Sequence, residues 1–268
     1  MATITQYIAG VIGRVWWQLA QLFAVPFALA VALQCVGRLI WQLGGNRFGN
    51  AYWYFVVPGV ACHETGHAVG CLLTGCKIHE FVPFTRKDDT RLGYVRHSVK
   101  KGLWGGMSAF LISSGPVWFG CIAIVLLTRL FGGAGYVARY SDCFSNNSVP
   151  WLLECAHGLG SSAVAFLSSI FLDGTWGWGF ALCLYLGFGI ASEIGLSGVD
   201  LQNMCRGLAA IALAFLGGNL IPQVGRCVSA GIFIILPWLF KFHVLMLVAL
   251  CINIMLFVVM RLVARKVR

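Results

Sequence analysis

Long apolar runs constrain the fold of this 268-residue chain more than any other feature of its sequence. A helix needs about 20 mostly apolar residues to cross roughly 30 Å of hydrocarbon, and the first run, residues 15–43, exceeds that length. Hydrophobic residues make up 59% of the chain and charged residues only 10%, against roughly a quarter charged in ordinary soluble domains. We therefore predict an all-α polytopic membrane protein that forms one domain, residues 1–268.

The apolar runs predict about six to eight transmembrane helices. They cover residues 15–43, 53–73, 103–131, 176–194, 207–221 and 228–263, with a weaker run at 157–172. We expect the Gly44-Gly45-Asn46-Arg47 turn to end the first span. The Gly115-Pro116 pair predicts a kink in the third, because proline cannot donate a helical hydrogen bond. The last tract, interrupted by Pro237, is either one bent helix or a tight helical pair. A core over residues 53–202 thus lies between the N-terminal span and C-terminal helices over 207–263.

The formal charge of +10 comes from Lys and Arg residues that gather at the ends of apolar runs. That placement indicates membrane topology rather than nucleic-acid binding, since the cytoplasmic ends of spans are enriched in basic residues. The two densest clusters are Arg86, Lys87, Arg91, Arg96, Lys100 and Lys101, and Arg261, Arg265, Lys266 and Arg268. We expect both clusters to face the cytoplasm and the protein to be an integral multi-pass protein of a prokaryotic cytoplasmic membrane.

A polar segment interrupts the apolar pattern between Cys76 and Gly102. Polar and apolar residues alternate over residues 77–84 and again over 91–98. This alternation predicts a short β-hairpin, with Asp88-Asp89 near its turn.

The eleven cysteines include no CxxC pair, and many lie within apolar runs. We therefore predict no disulfide framework and no zinc ribbon. Cys143 and Cys155 flank a polar loop, and they either pair, if that loop faces an oxidising compartment, or remain free thiols.

Two histidines and a glutamate lie close together in the second predicted span, within Val60-Ala-Cys-His63-Glu64-Thr-Gly-His67-Ala. Residues four apart lie above one another on one helix face, so the imidazoles of His63 and His67 can reach one zinc ion. Glu64 lies beside that face, where its carboxylate can accept a proton from water made acidic by the metal. The sequence thus predicts metal ligands and a general base within about one helical turn.

The alternative interpretation is a structural cluster of buried polar residues without a metal. Burying His63, Glu64 and His67 at hydrocarbon depth is costly, and a bound cation with inward-facing water offsets that cost. We therefore favour metal binding. The other histidines have no partner four residues away and are expected to lie outside the site: His79, His97, His157 and His243.

Catalytic zinc sites commonly use three protein ligands and keep one position open. Two aspartates are candidates for the third ligand. Asp200 follows a strong span, and Gly195, Ser197 and Gly198 allow the backbone to turn toward the histidines; alternatively, Asp200 caps the next helix. Asp173 precedes a glycine, where an aspartate is typical of a turn. We expect Asp200 to be the ligand, with Asp173 as the alternative.

With these residues in view, the chain resembles the site-2 protease class of intramembrane zinc metallopeptidases. His63-Glu64-Thr-Gly-His67-Ala is similar to that family's metal motif, and the hairpin-like stretch after it is similar to the family's membrane-associated hairpin. Ser114-Gly115-Pro116 resembles the family's Gly-Pro motif. Ser197-Gly-Val-Asp200-Leu resembles a Ser-x-x-Asp form of its metal-binding aspartate, and Leu172-Asp173-Gly174 resembles the Leu-Asp-Gly form. The resemblance covers about residues 53 to 202.

The resemblance implies an intramembrane zinc metalloprotease that hydrolyses peptide bonds of membrane-embedded or membrane-associated proteins. Zinc would be held by His63, His67 and Asp200, while Glu64 would act as general base and then protonate the leaving amine. The expected partners are a membrane protein or peptide substrate and the lipid bilayer. The rival hypothesis is a non-catalytic metal-binding scaffold, or a transporter whose histidines line an ion path. A transporter more often shows broken helices in two similar halves, and this sequence has a single polar motif.

Overall fold

The computed structural model describes residues 2–85, 92–98, 100–131 and 178–266. Helices dominate these residues, and a small antiparallel sheet accompanies them. The helices are α1 (Ala2–Leu19), α2 (Val25–Phe48), α3 (Asn50–Thr74), α4 (Gly102–Ser113), α5 (Gly115–Phe131), α6 (Trp178–Glu193), α7 (Gly198–Asn219) and α8 (Pro222–Lys266). The strands are β1 (Ile78–Val82) and β2 (Tyr94–His97). The predicted helical architecture with one short hairpin is confirmed for these residues.

Within the described residues, three helical segments are long and apolar enough to cross a bilayer, which indicates a membrane-embedded protein. They are Ile4–Phe48, Gly198–Asn219 and Pro222–Arg265. The pair Gly102–Ser113 and Gly115–Leu127 makes a fourth if it is counted as one bent span. The larger predicted number of about six to eight spans stays a prediction. The run at 157–172 lies outside the described residues, as do Cys143 and Cys155.

The first helical segment is longer at both ends than the predicted span. α1 begins near the start of the chain and continues into α2 through one π-helical turn, Ala20–Ala24. The turn predicted at Gly44 is wrong, because Gly44 lies inside α2, where its missing side chain leaves room for the ring of Tyr52. The segment ends instead at Gly49, whose φ of 51° is a conformation that favours glycine.

The third predicted span is broken into α4 and α5, which meet at Ser114 with a bend of 41°. Pro116 explains the break, since it has no N–H to donate to the carbonyl of Ile112, its partner in a regular helix. The kink predicted at Gly115-Pro116 is therefore confirmed. The missing N–H of Pro116 also leaves the Ile112 carbonyl available to another hydrogen-bond donor.

α3 packs closely against α4, α5 and α6, and glycines make this approach possible. A Cβ on Gly59 would collide with the α6 backbone at Gly189, and a Cβ on Gly66 would lie 2.7 Å from the carbonyl oxygen of Gly115. Small residues that let helix backbones approach are typical of interfaces between membrane helices. These contacts fix α3 against both the C-terminal end of α6 and the break between α4 and α5.

The last two helices differ from the predicted spans at their N-terminal ends. α7 begins at Gly198 rather than near residue 207, because a side-chain cap at Ser197 starts the helix in polar sequence where hydropathy gives no signal. The final tract is one helix of 45 residues with Pro237 inside it, rather than a helical pair. Buried residues of α2, α5, α6, α7 and α8 together form the main hydrophobic core.

The predicted hairpin is present, with β1 and β2 antiparallel and Ile78 opposite His97. Its turn, including Asp88-Asp89, lies outside the described residues. The chain that enters β2 passes against α3: a Cβ on Gly93 would lie 2.7 Å from Cγ of Glu64. The hairpin therefore folds back onto the helix that carries the metal motif.

Candidate metal centre

α3 presents His63 and His67 on one face, one helical turn apart, as the four-residue spacing predicts. Only 14% and 12% of their side-chain surfaces are exposed. The carboxylate of Asp200, in the first turn of α7, reaches the same point from a second helix and is also buried. We call these three residues the His-His-Asp cluster.

The possible ligand atoms of the His-His-Asp cluster form a small triangle. The Nε2 atoms of His63 and His67 are 3.2 Å apart, and Asp200 Oδ1 lies 3.5 Å from His67 Nε2. Asp200 Oδ2 lies 3.9 Å from His63 Nε2. Ligand atoms at about 2.0–2.2 Å from a tetrahedral zinc ion are themselves roughly 3.3–3.6 Å apart. The first two distances lie in or just below this range, whereas the His63–Asp200 distance of 3.9 Å exceeds it and would shorten on binding such an ion.

Backbone carbonyls fix which nitrogen of each imidazole carries the proton. Nδ1 of His63 donates to the carbonyl of Glu193 at 2.7 Å, and Nδ1 of His67 donates to the carbonyl of Ile112 at 2.8 Å. A carbonyl oxygen only accepts hydrogen bonds, so each neutral ring turns an Nε2 lone pair toward the other. Two lone pairs 3.2 Å apart repel unless a cation lies between them. Metal-bound histidines usually have their second nitrogen hydrogen-bonded in this way.

Both acceptor carbonyls are available because a helix is interrupted at each of them. Glu193 is the last residue of α6, so its carbonyl has no donor further along the helix. The carbonyl of Ile112 lacks its helical donor because residue 116 is proline. Two helix interruptions thus orient the two histidines of the His-His-Asp cluster.

Asp200 has a second role as part of a capping box at the start of α7. The Oγ of Ser197 accepts a hydrogen bond from the Asp200 N–H at 3.1 Å, and Asp200 Oδ2 accepts from the Ser197 N–H at 3.0 Å and from its Oγ–H at 2.6 Å. Oδ1 is left facing His67. The N-cap predicted at Asp200 is instead Ser197, with Asp200 at the third helical position, and this capping role is compatible with metal binding. Asp173, the alternative ligand, lies outside the described residues.

A cavity of about 580 Å³ opens beside the His-His-Asp cluster. Its lining includes Gln34, Arg38, Trp41, His63, Glu64, Gly93, Glu193, Ser197 and Gly198, and we call it the Glu64 cavity. The carboxylate of Glu64 is partly buried and stands outside the triangle of ligand atoms. A carboxylate that borders both a metal site and an open space is placed to move protons rather than to hold the metal.

Three residues of the Glu64 cavity have no counterpart in the sequence predictions. Glu193 is the last residue of α6, where an acidic side chain is unfavourable because the C-terminal end of a helix carries partial negative charge. Gln34 and Arg38 lie one turn apart on α2 and interrupt an otherwise apolar helix. Polar residues within apolar helices are costly and therefore often mark a functional site. Applying this criterion to every apolar run would have identified all three residues.

The isolated histidines of the described residues do not join the cluster. His79 is exposed on β1, and His243 is buried in α8. His97 lies in β2, where burial lowers the pKa of its ring below the usual range and favours the neutral form. His157 lies outside the described residues.

The donor set fits a divalent metal ion, since two neutral imidazoles and one carboxylate converge in a buried position. Imidazole and carboxylate ligands suit zinc and several other divalent ions. Comparisons with protein-family models, curated proteins and solved structures find no match to this chain. What the site can do therefore follows from its own chemistry.

Proposed function

We propose that this protein is an intramembrane zinc metalloprotease that hydrolyses peptide bonds of membrane-embedded or membrane-associated proteins. One observation carries the proposal: Glu64, a carboxylate outside the His-His-Asp cluster, shares a cavity with His63. A structural metal site needs only its ligands, whereas a hydrolytic site also needs a base and room for a substrate. The resemblance of the motif to site-2 proteases supports the same function.

Zinc is the metal that we propose for the cluster, held by His63, His67 and Asp200. Zinc bound there would supply a Lewis acid that polarises a peptide carbonyl and makes water acidic near neutral pH. Two backbone carbonyls accept the Nδ1 protons, so the Nε2 lone pair of each neutral ring is directed inward. Asp200 adds one negative charge, and the capping box with Ser197 holds its carboxylate in place.

Glu64 is the proposed general base and general acid. Its carboxylate takes a proton from the attacking water as the new C–O bond forms, and returns it to the amide nitrogen as the C–N bond breaks. The side chain packs under Gly93, where the absence of a Cβ leaves it room. Since Glu64 is not one of the proposed ligands, removing its charge should stop turnover without releasing the metal.

A helical substrate must unwind before a peptide bond can reach Glu64, because a helix uses its carbonyls in its own hydrogen bonds. We propose that the hairpin assists this step. Within the described residues β1 pairs only with β2, so its other edge can accept an extended segment. The chain at Gly93 connects this sheet to the Glu64 cavity.

In the membrane, we propose about six passes among the described helices. They are the three long apolar segments, the bent α4–α5 pair, α3 and α6. The basic clusters at the ends of the runs would face the cytoplasm of a prokaryotic cell.

Proteolysis can be tested without knowing the substrate. Wild type and Glu64→Gln would be produced at equal levels in one bacterial strain, and new N-termini in the membrane fraction compared by mass spectrometry. We expect wild type to generate N-termini within or beside transmembrane segments that Glu64→Gln does not generate. Ser108→Ala is the control, because its hydroxyl bonds only within α4, to Trp104, and Ser108 lies outside the Glu64 cavity. Identical N-termini in all strains would contradict the protease and favour the metal-binding scaffold or transporter.

A further inference from the structure

α2 carries a polar stripe that the proposed hydrolysis does not use. Gln34, Arg38 and Gln42 follow one another at intervals of four residues, so they lie on one face of the helix. That face lines the Glu64 cavity. The helix belongs to the apolar segment Ile4–Phe48, where each polar side chain is costly unless something binds it.

Arg38 brings an unpaired positive charge to this face. The guanidinium forms no ion pair with any described carboxylate. Its Nη2 lies 3.7 Å from where a Cβ on Gly198 would stand, at the start of α7. The first N–H groups of a helix have no helical partner and carry partial positive charge. An anion between them would be attracted by both the cation and that helix end.

Gln34 adds a buried donor one turn before Arg38. It is 7% exposed, and among the described residues its Nε2 has no hydrogen-bond partner. A buried donor left without an acceptor is destabilising. Among the described residues the Gln34 amide has no acceptor and the Arg38 guanidinium has no ion-pair partner, and both line the cavity beside the N-terminus of α7. An acceptor with a negative charge would satisfy both groups at once.

The other charges of the cavity restrict where such an anion can lie. Glu64 and Glu193 line it from α3 and α6, and Arg38 is the permanently charged cation among its lining residues. Ionised carboxylates repel an anion and a guanidinium attracts one, so an anion is favoured on the α2–α7 side over the α3–α6 side. A guanidinium binds a carboxylate with two parallel hydrogen bonds, which matches this side of the cavity.

We propose that the α2–α7 side of the Glu64 cavity binds a carboxylate of the peptide substrate through Arg38, Gln34 and the N-terminus of α7. This inference rests on the proposed protease function and names its substrate class: peptides with an acidic residue, or a free C-terminus, near the cleaved bond. Binding of a carboxylate next to the cleaved bond gives the protein a substrate-sequence preference, which the metal motif alone does not provide.

Binding of defined peptides tests this inference separately from proteolysis. All proteins carry Glu64→Gln, so that turnover is removed and a failed protease test leaves the binding result intact. The probes are three decapeptides of Ala, Leu and Ser that carry an uncharged N-terminal fluorophore: one amidated, one with a free C-terminus, and one amidated with an internal Glu. We expect at least one acidic probe to bind on the order of tenfold more tightly than the neutral probe. The acidic probe that binds more tightly than the neutral probe identifies the source of the carboxylate, either an internal side chain or the free C-terminus.

Variants assign the preference to Arg38. Arg38→Gln should remove it, whereas Arg14→Gln, which changes an arginine of α1 outside the Glu64 cavity, should keep it. Gln34→Leu should weaken the preference for the acidic probe about threefold. If Arg38→Gln loses its metal, Gln34→Leu serves as the test in its place. Equal binding of all three probes, or a preference that survives Arg38→Gln, would overturn the proposal. A preference abolished by phosphatidylglycerol in the micelles would also overturn it, by assigning Arg38 to a lipid headgroup.

Discussion

Nδ1 of His67 donates a hydrogen bond of 2.8 Å to the carbonyl of Ile112. That carbonyl lacks its helical donor because Pro116 has no N–H. A proline in α5 therefore orients a ligand histidine in α3, although the two residues belong to different helices. The same principle applies to His63, whose Nδ1 donates to the last carbonyl of α6.

The first prediction concerns this proline. Pro116→Ala restores an N–H that can bond to the Ile112 carbonyl in competition with His67. We expect zinc affinity to fall about 10–100-fold, the usual effect of losing a hydrogen bond behind a ligand histidine, in a titration against a chromogenic chelator. Pro237→Ala is the matched control, since Pro237 is also inside a helix but outside the Glu64 cavity. Equal affinities of the two variants would show that Ile112 does not orient His67.

A second prediction concerns the capping box. Ser197→Ala removes the side chain that caps α7 and donates to Asp200 Oδ2. We expect a loss of about 1 kcal/mol of stability and weaker zinc binding, because the carboxylate is less well held. Ser108→Ala removes a hydroxyl that bonds only within its own helix, to Trp104, and should leave zinc affinity unchanged. Thermal unfolding and chelator titration of both variants provide the comparison, and equal zinc affinities would refute the positioning role of Ser197.

The histidine pair was the part of the site most open to prediction, because a four-residue spacing fixes the relation of His63 and His67 on any helix. The third ligand could be narrowed to two aspartates from the sequence. The approach of Asp200 to the histidines could not be predicted, because it depends on a turn after α6 that residue spacing does not describe. The orienting carbonyls could not be predicted, since every residue has one and only the helix interruptions make two of them available. Pro116 was the visible sign of one interruption.

Helix boundaries were harder to predict than helix existence. Hydropathy marks the part of a helix that suits hydrocarbon, and therefore missed the polar first turns of α7, which begin at the Ser197 cap. It also predicted an end at Gly44, where the glycine serves close packing against Tyr52 instead of a turn. A glycine in sequence does not reveal which of these two roles it has.

A third prediction tests the close packing of α3. Gly66→Ala places a methyl group 2.7 Å from the carbonyl oxygen of Gly115, so the helices must separate. We expect a loss of about 1–3 kcal/mol, seen as a lower unfolding temperature in detergent. Gly13→Ala, in α1, meets nothing within 4 Å and should be neutral or stabilising by up to about 1 kcal/mol. Equal unfolding temperatures for the two variants would show that the contact at Gly66 is not tight.

A fourth prediction follows from the facing lone pairs of the histidines. A metal between them stabilises the folded state by mass action, about 2.7 kcal/mol when its free concentration is a hundredfold above Kd. Chelation should therefore lower the unfolding temperature of the wild type, and added zinc should restore it. His67→Ala, which lacks one of the two lone pairs, should respond to neither treatment. A wild type that is indifferent to chelator would contradict a bound metal.

The metal content of the purified protein tests the central claim most directly. Wild type, His63→Ala, Asp200→Asn and Glu64→Gln would be purified from metal-replete cells, and the zinc in each measured by mass spectrometry. Asp200→Asn keeps the size of the side chain while removing its charge, and Glu64→Gln changes the one motif residue that is not a proposed ligand. We expect about one zinc ion per chain in wild type and Glu64→Gln, and little or none in the other two. Folded wild-type protein without metal, or full zinc content in Asp200→Asn, would contradict the site described here.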